Sequence, residues 1–282
     1  MREIENLKQQ ILKEYPRLDE QSTFDFRCHP GVPCFNNCCR DVNIFLTPYD
    51  IIRLKKKLGM TSTELLRKYT LSPFDRNLPY PVILLQMSSN EEKKCPFVSE
   101  KGCGVYEDRP WACRMYPLGL AAPGEGSEEL DKEFYFLLKE DVCKGFNEDH
   151  QYVVSEWLKD QGIEEYNKMG EAFRDLTTHK YFQDGGELPP DRVEMFFMAC
   201  YDVDRFRKLV FSSSFFEKFE VDEETKARIK EDDLEMLSFA NQWLRFALFG
   251  AKSMVIKDAA IENKKKELKA KGKLARDHDV EK

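Results

Sequence analysis

Residues 28–39 read CHPGVPCFNNCC and place four cysteines within twelve positions. Glycine, proline and asparagine fill the space between them, a composition typical of an irregular loop. Ordinary buried cysteines are isolated small apolar residues scattered over core positions. This loop predicts instead a segment that folds around a metal ion, because short connections lower the entropy cost of bringing several ligands together.

More cysteines follow this loop. Cys95, Cys103 and Cys113 lie within nineteen residues, Cys143 comes later, and eight of the nine cysteines precede residue 144. Their spacing matches neither a common zinc finger nor a ferredoxin. Two arrangements are possible: two four-coordinate sites, or one iron–sulfur cluster with spare thiols. We predict eight metal ligands: Cys28, Cys34, Cys38, Cys39, Cys95, Cys103, Cys113 and Cys143.

The adjacent Cys38 and Cys39 are awkward ligands for one tetrahedral ion, because consecutive side chains tend to point apart. One of them can bind the ion while the other serves a second ion or supports the site from outside. His29 follows Cys28 directly and could replace a thiolate, although a lone loop histidine is more often solvated.

Cationic residues stand beside the cysteines. Arg109 and Arg114 flank Cys113 in the string YEDRPWACRMYPL at 106–118, and Arg40 follows Cys39. Four thiolates around a divalent ion carry net negative charge, which nearby guanidinium groups can offset. We predict that these arginines surround the metal site. We place Tyr116 of the same string there as well, with packing against Trp111 as its simpler role.

The tandem Cys38-Cys39, the later CPF motif and the RP-x-x-CR-x-YPL string resemble the YkgJ-type cysteine-cluster family, described as a putative zinc- or iron-chelating domain. The similarity covers about residues 28–143. It implies metal binding by Cys34, Cys38, Cys39, Cys95, Cys103 and Cys113, with Cys28 and Cys143 as additions. Relatives of this domain include the bacterial flagellin lysine N-methylase, so the resemblance also implies a metal-dependent enzyme as an alternative function.

The bulk composition narrows the class of protein. A formal net charge of −7 argues against general nucleic-acid binding, which needs a basic surface. The charged first twenty residues lack the apolar stretch of a secretory signal, and no apolar run reaches membrane-spanning length. We therefore expect a cytoplasmic protein without a membrane segment. In a reducing compartment, clustered thiols indicate metal or redox chemistry rather than disulfides.

The pattern along the chain predicts an α+β fold, with an irregular cysteine-rich first half and an all-helical second half. We expect a lead-in helix up to Lys13, helices over 48–58 and 62–69, and strands at 42–46, 81–87 and 134–138. Further helices are expected over 150–178, 191–210 and 223–260. The predicted domains are a cysteine-cluster domain at 1–147, a helical domain at 148–262 and a basic tail at 263–282.

Two features outside the cysteine clusters complete the prediction. Val193, Phe196, Phe197, Cys200 and Tyr201 recur with helical spacing, so Cys200 is predicted to be a core residue. The tail from Lys264 to Arg276 is basic and poor in apolar side chains, which predicts a solvated helix.

Three functions fit a zinc or iron site of this kind, with an iron–sulfur cluster included. The cluster can serve an enzyme such as a protein lysine methyltransferase, although no GxGxxG follows a predicted strand and no HExxH or phosphate loop occurs. Zinc can instead stabilise a module whose helical half binds a protein partner. Storage or delivery of metal would need thiolates that solvent can reach.

Overall fold

The computed structural model describes residues 15–72, 78–121 and 133–278. They divide into two compact units, Met1–Arg174 and Asp175–Lys282. Among the described residues, no helix is long and apolar enough to cross a membrane.

The two units can be compared with the predicted domains. All eight clustered cysteines lie in the first unit, and Cys200 lies in the second. The predicted domain boundary at residue 147 falls inside the first unit and stays a prediction. The lead-in helix expected up to Lys13 lies outside the described residues.

Two capped helices form the most regular part of the first unit. Helix α1 is Pro48–Leu58 and helix α2 is Ser62–Tyr69, as predicted. The Thr47 hydroxyl accepts a hydrogen bond from the Asp50 amide at 3.1 Å, and the Asp50 carboxylate accepts one from the Thr47 amide at 2.7 Å. This reciprocal capping box satisfies two N–H groups that the helix itself leaves unpaired. Gly59, with a φ of 63°, ends α1 in the left-handed conformation that favours glycine.

The strands of the first unit are short and pair two by two, all antiparallel. The strand predicted at 134–138 is confirmed. The strand predicted at 81–87 is shorter than expected, and the one predicted at 42–46 is wrong: this segment makes one isolated bridge, from Phe45 to Leu84. The strand pairs are β1 (Thr23–Asp25) with β8 (Gln151–Val153), β2 (Thr70–Leu71) with β3 (Leu84–Leu85), β4 (Val98–Ser99) with β5 (Gly102–Cys103), and β6 (Leu118–Ala121) with β7 (Phe134–Leu137).

The core of the first unit consists of apolar side chains from before, within and after the chain segment that carries the cysteines. Short helices complete this unit: α3 (Trp111–Met115), α4 (Val154–Asp160) and α5 (Ile163–Thr177), the last ending just beyond it. Burial of apolar side chains is the main favourable term in holding such short elements together. The buried cluster consists of Phe24, Phe26, Met115, Leu118, Val154, Trp157 and Ile163.

The second unit is helical, which confirms the predicted α+β class with a helical second half. Its helices are broken more often than the apolar periodicity predicts. Asp202 separates α7 from α8 and Asp232 separates α10 from α11, because each carboxylate caps the N-terminus of the helix that follows it. The helices are α6 (Lys180–Gln183), α7 (Pro190–Tyr201), α8 (Val203–Ser212), α9 (Phe215–Lys218), α10 (Glu223–Glu231), α11 (Asp233–Phe249) and α12 (Asp258–His278).

Cys200 and the basic tail take the places that the sequence predicts for them. Cys200 is 2% exposed on α7, beside the buried Phe196 and Tyr201. Burial raises its pKa well above the ordinary value, which is typical of an inert core thiol. The tail continues α12, whose side chains from Ile261 to Lys269 are exposed.

Asn241 is a polar side chain in the core of the second unit. It is 5% exposed on α11, and its Oδ1 atom has no hydrogen-bond partner among the described residues. We expect Asn241→Leu to raise the free energy of unfolding by about 1 kcal/mol, because it removes a buried acceptor that lacks a donor. Urea denaturation measures this change. Gln242→Leu, at the exposed neighbouring position, is the control and should change stability little; equal effects from both substitutions would contradict the prediction.

Candidate metal centre

The cysteine loop is held against the end of the first unit by backbone contacts. The amide of Arg27 donates to the carbonyl of Gly145 at 2.9 Å, next to the pairing of β1 with β8. The amide of Lys144 donates to the sulfur of Cys34 at 3.1 Å. Cys143 is thereby placed beside a loop that lies more than a hundred residues earlier in the chain.

The first group of neighbouring thiols lies around Cys28. Partial burial and charge on Cys38, Cys34 and Cys143 together raise the pKa of Cys28 to about 11. Charge interactions of this strength act over short distances. We name these four residues, Cys28, Cys34, Cys38 and Cys143, the loop set.

The second group surrounds a small hairpin. The amide of Cys95 donates to the carbonyl of Cys39 at 2.9 Å, and the pairing of β4 with β5 sets Val98 opposite Cys103. Burial and charge on Cys95, Asp50 and Cys103 together raise the pKa of Cys113 to about 12.

Cys39 belongs to this second group. Its pKa is raised by a hydrogen bond with Cys38, by burial and by charge on Cys38, Cys95 and Cys113. We name Cys39, Cys95, Cys103 and Cys113 the hairpin set. We therefore assign the eight predicted cysteines to two sets of four, which are joined by the interaction between the consecutive residues Cys38 and Cys39.

A hydrogen bond joins the side chain of Cys38 in the loop set to that of Cys39 in the hairpin set. The hydrogen bond from Cys39 lowers the pKa of Cys38 to about 7 and raises that of Cys39. Among the described residues, no three cysteine, histidine or acidic side chains are arranged to hold a metal ion. The two sets are thus groups of neighbouring thiols, and holding an ion would require their side chains to turn towards one point.

The predicted arginines occupy two different environments. Arg109 and Arg114 are each only 8% exposed, whereas Arg40 is exposed and its backbone bridges to that of Lys94. The Arg109 guanidinium donates to the carbonyl of Tyr106 at 2.6 Å and to the side chain of Gln161.

The second buried arginine is bound in the same manner. Arg114 donates to the backbone carbonyls of Arg109, Gln161 and Glu107. Both guanidinium groups therefore bond to neutral oxygens and keep their positive charge inside the unit.

The acidic groups beside these cations include the Asp50 carboxyl group and the thiols of Cys103 and Cys113. Charge on Arg114 lowers the pKa of the buried Asp50, although burial is the larger effect and raises it to about 6. Burial lowers the pKa of Arg109, while charge on Cys113 and Cys103 opposes that change. Arg109 is thus the buried cation that lies beside the hairpin set.

Tyr116 lies beside the loop set. Its hydroxyl oxygen is buried and makes no hydrogen bond of normal geometry among the described residues. Burial raises the pKa of Tyr116, and the Cys143 side chain is the next largest cause. The ring also packs edge-on against Phe26, rather than serving only the packing against Trp111 that the sequence suggested.

His29 is held by hydrogen bonds to Gly31 and Glu148. Its Nδ1 atom accepts a hydrogen bond from the Gly31 amide at 3.1 Å, so the proton is on Nε2, which lies 2.9 Å from Glu148 Oε2. Both ring nitrogens therefore have partners. The sequence suggested a solvated loop histidine, whereas the ring is hydrogen-bonded on both sides.

Asp50 and Gln161 are parts of the site that the sequence analysis missed. Asp50 is fully buried and accepts a hydrogen bond from the amide of Trp111 at 2.8 Å, at the start of the helix that carries Cys113. The sequence places Asp50 in the capping box of α1 but contains no signal for its second bond. Gln161 shows no motif at all.

The family comparison agrees with this site. Residues 27–148 match the model of the CxxCxxCC family, described as a putative zinc- or iron-chelating domain, which confirms the resemblance to the cysteine-cluster family. The matched range contains all eight cysteines of the two sets. No curated protein and no solved structure matches the chain.

Proposed function

We propose that this domain chelates metal in two separate centres, one formed by the loop set and one by the hairpin set. The observation that carries the proposal is the pair of contacts that brings Cys34 to the residue after Cys143 and Cys39 to Cys95, with charge interactions among the thiols in support. Four thiolates complete the tetrahedral shell of zinc, and four also ligate one iron–sulfur cluster. Consecutive side chains that point apart fit ligands of two centres better than ligands of one.

Hydrogen-bond donors around the sulfurs support both centres. The amide of Lys144 and the buried Tyr116 hydroxyl lie beside the loop set, and Arg109 lies beside the hairpin set. Metal-bound thiolates keep negative charge and accept such hydrogen bonds. The Tyr116 hydroxyl, which lacks a normal partner, would gain one when Cys143 is a thiolate.

The donor set restricts the metal to a thiophilic ion. Thiolate ligands select zinc, iron–sulfur clusters or copper(I), whereas magnesium and calcium need oxygen ligands. Zinc and iron therefore both fit, in agreement with the description of the family. When bound in a closed four-thiolate shell, either metal supplies crosslinks between loops; an iron centre adds electron transfer.

Metal and sulfide analysis of protein purified without oxygen tests the proposal. We expect two zinc ions per chain, or two iron centres with iron and acid-labile sulfide in a ratio that identifies their type. Cys34→Ser and Cys103→Ser should each lose one centre and keep the other, because each removes a ligand of one set. Cys200→Ala, which changes a thiol outside both sets, is the control and should keep both.

Two results would contradict the proposal. One is wild-type protein with fewer than two centres per chain. The other is loss of the same single centre in both Cys34→Ser and Cys103→Ser, which would mean that all eight thiols serve one site.

A further inference from the structure

The loop between α11 and α12 exposes apolar side chains although its backbone is held in place. The amide of Glu220 donates to the carbonyl of Val255 at 2.9 Å, and Ile256 makes an antiparallel bridge to Phe219. Val255 and Ile256 are nevertheless 57% and 38% exposed. Water therefore reaches large apolar side chains on a segment that backbone hydrogen bonds fix to the second unit.

Helix α12 continues this exposed segment. The amide of Ile261 donates to the carbonyl of Lys257 at 3.2 Å, so the first turn of the helix follows the loop directly. Ile261 and Leu268 are 38% and 60% exposed. Seven residues make nearly two helical turns, so these two side chains lie on one face of α12.

Cations flank the apolar side chains of α12. Lys264 and Lys265 follow Ile261 by three and four residues, so they lie on either side of the line from Ile261 to Leu268. Their ion pairs, with Glu267 at 3.2 Å and with Glu262 at 2.8 Å, are exposed. Exposed pairs of this kind are weak, so both lysines can bind an external anion instead.

The charge of the chain is concentrated in the same helix. The segment 264–276 contains six lysines and one arginine but only one glutamate, which gives it a net charge of +6. The whole chain has a net charge of −7, so the other residues together carry −13. An anionic surface would therefore attract α12 and repel most of the remaining protein, which orients the chain as it approaches.

We propose that the loop before α12 and the helix itself bind the surface of an anionic lipid bilayer, with the helix parallel to that surface. The lysines bind the lipid headgroups, and the exposed apolar side chains enter the outer part of the hydrocarbon layer. Helices with a cationic face and an apolar face lie in membrane interfaces in this way, and clusters of cations on them select anionic lipids. Such binding requires no helix that crosses the membrane. The apolar side chains of this surface are Val255, Ile256, Ile261 and Leu268.

These apolar side chains distinguish a bilayer from other anionic partners. Nucleic acid offers phosphates to the lysines but no apolar layer, and a flexible acidic peptide likewise offers only charge. Serine in place of the exposed apolar residues should therefore weaken binding to lipid and leave binding to DNA or polyglutamate unchanged.

Cosedimentation of the full chain with lipid vesicles tests the inference. We expect binding to phosphatidylcholine vesicles that contain about 30% phosphatidylserine to be at least about tenfold tighter than binding to pure phosphatidylcholine. Salt at about 0.5 M should remove most of this difference, because it screens exposed charges. Duplex DNA and polyglutamate, at the same concentration of charge as the vesicles, should fail to displace the protein from them.

A pair of lysine substitutions tests the contribution of charge. Lys264→Gln combined with Lys265→Gln should weaken binding to the anionic vesicles at least about fivefold. The matched control is Lys56→Gln combined with Lys57→Gln, which changes two adjacent exposed lysines of α1 in the first unit and should leave binding unchanged.

A second pair tests the apolar contact. Val255→Ser combined with Leu268→Ser should weaken vesicle binding at least about tenfold, because both side chains leave water when the protein binds. Phe45→Ser is the matched control, since Phe45 is 55% exposed in the first unit and should not touch the lipid. All substituted side chains are exposed, and circular dichroism verifies that each variant keeps its helical content.

Four results would overturn the inference. They are absence of binding to the anionic vesicles, equal binding to neutral and anionic vesicles, wild-type affinity of the variant with serine at 255 and 268, and displacement of the protein from the vesicles by DNA or polyglutamate. The last result would identify a nucleic acid or an acidic protein as the partner of α12.

Discussion

Removing the metal should increase amide hydrogen exchange at residues 28–39 and 95–113 by at least about 100-fold, because a structural metal contributes folding free energy directly. The strands in the described part of the first unit are two to four residues long, and the cysteine loop forms turns rather than a helix or strand. Such segments bury little apolar surface of their own. Crosslinks between thiolates would therefore supply much of the local stability.

The measurement is exchange followed by mass spectrometry, on loaded protein and on protein treated with chelator and reductant. Peptides from α11 in the second unit are the internal control, since this helix contains no cysteine and should exchange at the same rate in both samples. Cys34→Ser should raise exchange mainly at 28–39, and Cys103→Ser mainly at 95–113. Unchanged exchange in both segments after complete metal removal would show that the thiols stabilise nothing.

Much of the fold was predictable because local signals coincided with the final structure. Thr47 before Pro48 marks a helix start, Gly59 marks its end, and both positions were correct. The clustering of cysteines in loop-like sequence also pointed to the segment that the metal-chelating family model matches. These signals act within a few residues, so the rest of the fold does not override them.

The helix breaks in the second unit were harder to predict from the sequence than the ends of α1. Asp202 and Asp232 sit inside stretches whose apolar residues keep helical spacing, and that spacing predicts one continuous helix. An aspartate in such a stretch can equally be an exposed helical residue or a cap. Only the packing of the flanking helices decides between the two.

The grouping of the thiols depends on contacts between distant residues. Cys143 joins the loop set because β1 pairs with β8 and Arg27 binds Gly145, which no local pattern announces. Cys39 joins the hairpin set through the bond from the Cys95 amide. Chain proximity would instead have assigned Cys38 and Cys39 to the same centre.

Asp50→Ala should lower the free energy of unfolding by about 3 kcal/mol at pH 7.5, a large effect for one side chain. The Asp50 carboxylate accepts hydrogen bonds from the amides of Thr47 and Trp111, at 2.7 Å and 2.8 Å. Alanine would leave both N–H groups without an acceptor in a site that solvent does not reach. Urea denaturation of loaded wild type and variant measures the difference.

Glu64→Ala provides a matched control, because the Glu64 carboxylate closes the capping box of α2 in the same manner. It accepts from the Thr61 amide at 2.9 Å and is exposed to solvent. Water can replace that acceptor, so this substitution should cost only about 0.5–1 kcal/mol. Equal losses of stability from the two substitutions would mean that the hydrogen bond from the Trp111 amide to Asp50 contributes nothing beyond an ordinary helix cap.

Asp50 also connects helix α1 to the proposed centre of the hairpin set. Its substitution should therefore affect metal retention as well as stability. Its bond to Trp111 fixes the start of the helix that carries Cys113. Without it, that helix can rotate or fray, and Cys113 would leave the position it shares with Cys95 and Cys103. Asp50→Ala should therefore release the ion of the hairpin set faster and leave the ion of the loop set unaffected, whereas Glu64→Ala should change neither rate. A variant that unfolds more easily yet releases both ions at wild-type rates would separate the stability of α1 from the integrity of the centre.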